Sequence, residues 1–174
     1  MDAVQCIATK LDVRDYSPKE VPAKVKLEIL NAARMAGTGM NRQHWRFILI
    51  HGKDMMGQLA KDSTTGNWVD KANFAVIVLT DPKYGFHKLD AGRAMQNMQL
   101  AAWNNGVISG IYTGLNEDAL QRDFGIPKEL SPSVVVSFGY PARKITGKKK
   151  NRLPLEEVAF IGKYGNRLEP ETLH

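Results

Sequence analysis

Phe74-Ala75-Val76-Ile77-Val78-Leu79-Thr80 is an uncharged run of β-branched and aromatic residues, and it reads as a buried strand. The strongest helix signal in the chain follows it, over about residues 87–105. There Leu89, Ala94, Met95, Met98, Ala101 and Ala102 recur at helical spacing, and Gly106 supplies the stop. The two methionines read as core filling rather than as ligands. A buried strand next to a long amphipathic helix sets the frame for the rest of the chain.

Upstream, Phe47–His51 reads as a second buried strand, followed by a helix over about 54–62 and a polar loop through Thr64-Thr65-Gly66-Asn67. Before that, Val25, Ile29, Leu30, Ala33 and Ala36 fall on one helical face, which places a helix at about 22–36 with Gly37 as its end. Asp2 opens a short helix over 2–9. Downstream, a short strand near 107–112 leads to Thr113-Gly114. Asn116 then caps a helix with Glu117 and Asp118 in its first turn, ended by Gly125 and Pro127. Ser133–Phe138 is a further strand, stopped by Gly139-Tyr140-Pro141. Helices and strands mix without a strict βαβ rhythm, so the expected class is α+β.

At 174 residues, 43% of them apolar, the chain has enough material for one core and too little for two full domains, so residues 1–174 are expected to be a single domain. The formal charge of +6 favours anionic partners such as phosphorylated cofactors. Cys6 is the only cysteine, which rules out an internal disulfide, and its apolar neighbours suggest a buried structural role. The start lacks the pattern of a signal peptide, and no apolar run approaches the roughly 20 residues needed to cross a bilayer. The expectation is a cytoplasmic protein that does not bind membranes.

Several kinds of chemistry find no support. There is no G-x-x-x-x-G-K-[ST] phosphate loop, no G-x-G-x-x-G after a strand and no G-x-S-x-G elbow. The four histidines, His44, His51, His87 and His174, are not spaced as metal ligands and read as surface or structural residues. What remains is a set of cations at the two ends: Lys10 and Arg14 near the start, Lys150 and Arg152 near the finish. Such cations share one phosphate only if the fold brings the ends together. The stretch Arg143–Arg152 holds six cations in ten positions, but it lacks the interleaved aromatics of a single-strand platform, and no nucleic-acid partner is expected. Read alone, Arg14 between two aspartates fits a surface ion pair and the basic loop a solvated one.

Four segments, in order, resemble those of the FMN-dependent nitroreductase family. Lys10-Leu11-Asp12-Val13-Arg14-Asp15-Tyr16 stands where the family has R-R-S-x-R-x-F. The stretch Ala33 to Trp45, with Asn41-Arg42-Gln43-His44-Trp45 at its end, resembles A-x-A-P-S-x-x-N-x-Q-P-W. Asp90, Ala94, Gln96, Asn97, Leu100, Ala101, Ala102 and Gly106 follow the family's D-x-x-x-A-x-Q-N-x-x-L-A-A-x-x-x-G. Gly139-Tyr140-Pro141 and Lys150-Asn151-Arg152-Leu153-Pro154-Leu155-Glu156-Glu157-Val158 echo G-Y-P and K-x-R-x-P-L-E-E-V. The likeness covers nearly the whole chain.

The resemblance implies a central, mostly antiparallel sheet flanked by helices, and an intertwined homodimer with FMN at the interface. It places Lys10, Lys150 and Arg152 on the FMN phosphate and Arg14 at the pyrimidine edge of the ring. Thr38–Asn41 would line the ring from the partner subunit, and the backbone of Thr113 and Gly114 would approach N5. Leu11 and Asp12 fall in the same binding stretch, where the family has an arginine and a serine. Gly37-Thr38 replaces Pro-Ser, and His44 replaces the proline before tryptophan. The implied activity is transfer of hydride from NADH or NADPH, through flavin N5, to a small electron-poor acceptor by a ping-pong cycle. No side chain acts as a covalent catalyst and no metal takes part. An FMN-binding storage or sensor protein without turnover is the alternative, kept open by Asp12.

Overall fold

Strand β2 (Phe74–Thr80) is the strand that the apolar run predicts, and every one of its residues is buried. The computed structural model describes residues 1–145 and 150–169. In it β2 pairs on one side with β1 (Arg46–His51) and on the other with β4 (Ser131–Gly139), which in turn pairs with β3 (Ile108–Tyr112). The order is β1-β2-β4-β3 and every pairing is antiparallel. Antiparallel strands usually alternate apolar and polar residues because one face meets water. Here helices cover both faces, so β2 shows no alternation.

Phe74, Val76 and Val78 point into one core with Ile29 and Ala33 of α2 (Ala23–Arg34) and Ala94, Met98 and Ala102 of α4 (His87–Asn104). Ala75, Ile77 and Leu79 point into the other, with Met56 and Leu59 of α3 (Lys53–Lys61) and Leu120 of α5 (Glu117–Phe124). Burying each of the larger side chains among them is worth about 1.5–3 kcal/mol, so the two small cores together hold the sheet. The short helix α1 (Ala3–Thr9) packs on α4, where Cys6 is buried with Sγ 3.5 Å from the carbonyl of Leu100. Asp2 accepts the N–H of Gln5 at 2.8 Å and Asn116 that of Ala119 at 3.2 Å, so both expected caps form. Gly125 closes α5 with φ 64°, which favours glycine there.

The structure corrects the sequence reading in four places. Leu89 lies on the outside of α4, 66% exposed, while Asp90 and Gln99 occupy its buried face. β4 begins at Ser131 rather than Ser133, and Pro132 fits because the pairing register shifts between Val78 and Leu79. Beyond the polar loop, Asn67–Lys71 forms a 3-10 turn that buries Val69. Arg14 forms no ion pair with its neighbouring aspartates; its guanidinium lies on an aromatic ring instead. A four-residue helix, α6 (Leu155–Val158), is fully exposed. Of the basic stretch, residues 146–149 lie outside the described residues, as does His174.

Candidate functional site

After α1 the chain runs along the outer side of β3. Asp12 forms a parallel bridge to Ser109, and Tyr16 an antiparallel bridge to Pro141. The amide of Val13 donates to the carbonyl of Ser109 at 3.1 Å. This brings the N-terminal basic segment to the sheet edge. Lys10 is only 7% exposed, and its Nζ meets Asp12 Oδ1 at 2.7 Å. The same oxygen accepts from Gln99 Nε2 at 2.8 Å, and that amide also reaches Ser109 Oγ at 3.0 Å. A buried ammonium needs such a partner, because desolvation otherwise costs several kcal/mol. Asp12 thus turns toward Lys10, and Gln99 of α4 holds it there.

Two positions further along, Arg14 crosses the sheet at Gly110. Its guanidinium lies 4.1 Å from the centre of the Trp68 ring, and Nη2 donates to the carbonyl of Ile111 at 3.2 Å. Trp68 is fixed in turn. Its Nε1–H donates to the carbonyl of Thr65 at 3.1 Å, and its ring meets Tyr112 edge-on at 5.7 Å. Arg14 is therefore a rigid cation with most of its N–H groups still free to donate. Tyr16 hydrogen-bonds Ser137 Oγ at 2.7 Å, and burial pushes its phenol up to about 12, so it holds its proton near neutrality.

Where β3 ends, Thr113 is exposed and Gly114 is covered by the 64–65 loop. The Gly114 carbonyl accepts from Thr64 N–H at 2.8 Å and Ser63 Oγ at 3.2 Å. A Cβ at Gly114 would come 2.3 Å from Thr65 Oγ1, so a larger residue would have to displace the threonines of that loop. One continuous edge therefore carries Lys10, Asp12, Arg14, Trp68, Thr113 and Gly114. Leu11 faces away from it, into an apolar groove of ≈ 510 Å³ shared with Trp103, Ile108 and Ile145.

The C-terminal cations behave differently from each other. Lys150 Nζ donates to the carbonyl of Ile7, within the helix that leads into Lys10. Arg152 is exposed, and its Nη1 turns back to the carbonyl of Asn151 at 2.9 Å. The two chain ends do come together, through Lys150.

Thr38 and Asn41 are not on this edge. Their loop packs at the N-terminal end of α4, where the Gly39 N–H donates to Asp90 Oδ2, whereas Gln99 marks the N-terminal cation segment. Nine residues of helix separate the two contacts, roughly 14 Å at the usual rise. Within the loop Met40, Asn41 and Gln43 have φ of 50°, 51° and 48°. Non-glycine residues in that region cost about 1–3 kcal/mol each and persist only when their surroundings fix them.

Sequence reading missed Trp68, Gly110, Gln99 and the Asp90–His44 pair. Their only signal was polar residues recurring on the apolar face of α4, and a tryptophan directly after Gly66-Asn67. Among the described residues no group of three or more His, Cys, Asp or Glu is placed to hold a metal, and no helix is long and apolar enough to cross a membrane.

The model of the nitroreductase family matches residues 7–82 and 66–140. A protein of Methanothermobacter thermautotrophicus, provisionally named NADH dehydrogenase/NAD(P)H nitroreductase, is 30% identical over 82% of this chain and 78% of its own. An FMN-dependent nitroreductase of Clostridium difficile R20291 superposes with a TM-score of 0.83 at 21% identity, over 92% of this chain and 99% of that one. A nitroreductase of Bacteroides fragilis solved with bound FMN gives a TM-score of 0.74 at 23% identity, over 88% of this chain and 95% of that one.

Proposed function

The chain belongs to the nitroreductase family, and on that premise we propose that it is an FMN-dependent oxidoreductase. In this reading it takes hydride from NADH or NADPH and passes electrons to a small electron-poor acceptor: a nitroaromatic, a quinone or an activated alkene. Substrates would take turns in a ping-pong cycle. Bound FMN supplies an N5 atom that accepts and returns a hydride, chemistry that no side chain here can perform.

The residues of the edge fit such a group. Arg14, Lys10 and Lys150 are donors only, suited to a phosphate dianion and to negative charge developing at the pyrimidine edge of a ring. Arg14 is held by Trp68 and Ile111 before any ligand arrives, so little ordering remains to be done on binding. Thr113, exposed just past β3, offers main-chain N–H to the ring. No proton donor is assigned, since Tyr16 keeps its proton and solvent reaches this edge.

The single observation that carries the reading is the bond from Lys150 to the Ile7 carbonyl, which joins cations separated by most of the sequence. The placement of Thr38 and Asn41 at the far end of α4 favours a homodimer in which this loop serves the other copy's cofactor. Exposed Val4, Ile7, Leu27, Leu153, Leu155 and Val158 supply apolar surface for it.

The visible spectrum of the purified protein, with acid release of the chromophore, tests the cofactor. The expected result is a yellow protein that yields FMN and bleaches anaerobically with NADH or NADPH. A protein that stays colourless after incubation with FMN sinks the proposal. The Lys10–Asp12 pair favours a second reading, since it neutralises one of the phosphate cations: FMN storage or sensing without turnover. A yellow protein that neither nicotinamide bleaches would select it.

A further inference from the structure

Asp90 is 1% exposed, and its Oδ2 accepts two hydrogen bonds of 3.0 Å, one from the Gly39 N–H and one from His44 Nε2. These bonds grip both ends of the loop that carries Met40, Asn41 and Gln43 in the left-handed region. The grip is reinforced on every side. Arg93 lies 3.7 Å from Asp90 Oδ1 and donates to the Gly37 carbonyl at 3.1 Å. Thr38 Oγ1 accepts the Gln43 N–H at 2.9 Å. A Cβ on Gly39 would strike the Phe86 ring at 2.5 Å, so the backbone lies flat on that ring.

His44 is set up to serve this carboxylate. Its Nδ1 accepts the Asp81 N–H at 3.3 Å, which leaves the ring proton on Nε2, facing Asp90. Tyr84 and Phe86 flank the imidazole, with ring centres 5.0 Å and 6.0 Å away. The sequence has histidine here where the resembling family segment has proline, so this chain fixes the loop by a hydrogen bond instead of a ring.

Little of the chain's own packing accounts for the shape being held: Gly39 rests on Phe86 and the Gln43 carbonyl accepts from Arg46 Nη1 at 3.1 Å. Met40, Asn41, Arg42 and Gln43 are all exposed. Strained backbone that a buried carboxylate maintains, and whose left-handed residues stay exposed, points to a partner outside the chain. We propose that Asp90 and His44 are positioning residues, which hold the 38–43 loop in the form that presents Thr38 and Asn41 to the cofactor of a second copy. This rests on the FMN-dimer reading above and deepens it. Asp90 touches neither cofactor nor substrate; it acts through the loop.

The test uses full-length wild type, Asp90→Ala, Asp90→Asn and His44→Ala. The readouts are trypsin cleavage after Arg42 in cofactor-free protein, FMN affinity by fluorescence titration and the visible circular dichroism of bound FMN. Losing a hydrogen bond to a buried charge weakens an equilibrium by about 10-fold or more. Asp90→Ala should therefore be cut faster after Arg42, bind FMN about 10-fold more weakly and alter the visible circular dichroism. Asp90→Asn keeps an acceptor for the Gly39 N–H and should recover most of the affinity, within about threefold of wild type. That rescue separates positioning from a loss of folding. A folded Asp90→Ala protein with wild-type affinity and unchanged visible circular dichroism overturns the proposal. If Asp90→Ala does not fold, the same null result in His44→Ala overturns it. Wild type that binds no FMN sinks the functional reading instead, and unaltered trypsin cleavage after Arg42 in the cofactor-free variants still sinks the clamp.

Discussion

Gly110 carries no side chain because three other residues use its space. A Cβ there would stand 3.0 Å from Arg14 Cγ and from Trp68 Cη2, and 3.2 Å from the Tyr16 hydroxyl. Arg14 lies low across β3 and stacks on Trp68 over this bare backbone, and a Cβ would press it and the indole outward by a few tenths of an ångström. A cation–π contact of this kind contributes about 0.5–2 kcal/mol, more as it is desolvated. The strand backbone is paired to β4 at this position and cannot yield, so Gly110→Ala would lift Arg14 off the ring. The expected outcome is a folded protein whose FMN Kd rises about 3- to 10-fold, read by flavin fluorescence. Arg14→Ala added to Gly110→Ala should weaken binding by less than it does alone, since both remove one interaction. Wild-type affinity in Gly110→Ala would place Arg14 outside the cofactor site.

At the scale of elements, what was legible followed from local chemistry, and what was not depended on distant partners. β2 could be read because six apolar residues in a row suit a strand buried on both faces, and α4 because its alanines and methionines repeat at helical spacing. Nothing in the local sequence marked Asp90 and Gln99 as buried residues of α4. Their partners are His44, Gly39, Asp12 and Ser109, and only the fold brings most of these near. The 10–16 segment was equally opaque, since it joins β3 and its surroundings by isolated bridges rather than by a strand of its own. Of the cations at the two chain ends, Lys150 reaches the N-terminal helix while Arg152 turns back on its own chain, and neither this nor the pairing of Lys10 with Asp12 was legible.

Tyr16 fastens that segment to β4, and the bond has a measurable signature. Burial raises its phenol from 10.0 to about 12, with the Ser137 hydrogen bond opposing the shift. The folded value lies above the free one, so the fold favours the protonated phenol. Its contribution is complete below pH 10 and is lost as pH climbs toward 12; two units correspond to roughly 2–3 kcal/mol. Burial also raises Tyr112, which adds to the same alkaline loss. Urea midpoints of wild type should fall between about pH 9 and about pH 11.5, and those of Tyr16→Phe should fall less. Equal slopes would mean that Tyr16 is not buried against Ser137.

At the scale of the whole molecule, the proposed dimer accounts for apolar surface that the described chain leaves open. α6 is four residues long and exposed throughout, and a helix that short does not form in water without packing. Leu153, Leu155 and Val158 project from this arm with nothing among the described residues to cover them, while Val4 and Ile7 of α1 and Leu27 of α2 add further exposed apolar surface. A stable interface buries about 1,200–2,000 Å² in total, and an arm laid across a partner is an economical way to reach that area. The charged Lys150 at the root of the arm, bound to Ile7, starts the arm beside the basic edge. The protein should therefore sediment as a dimer at micromolar concentration, with a Tm that rises with protein concentration. Leu153→Glu combined with Leu155→Glu should shift it to monomer and lower FMN affinity at the same time, because the ring would lose the loop donated by the partner. A double variant that becomes monomeric yet binds FMN as tightly as wild type would show that each cofactor site is complete within one chain.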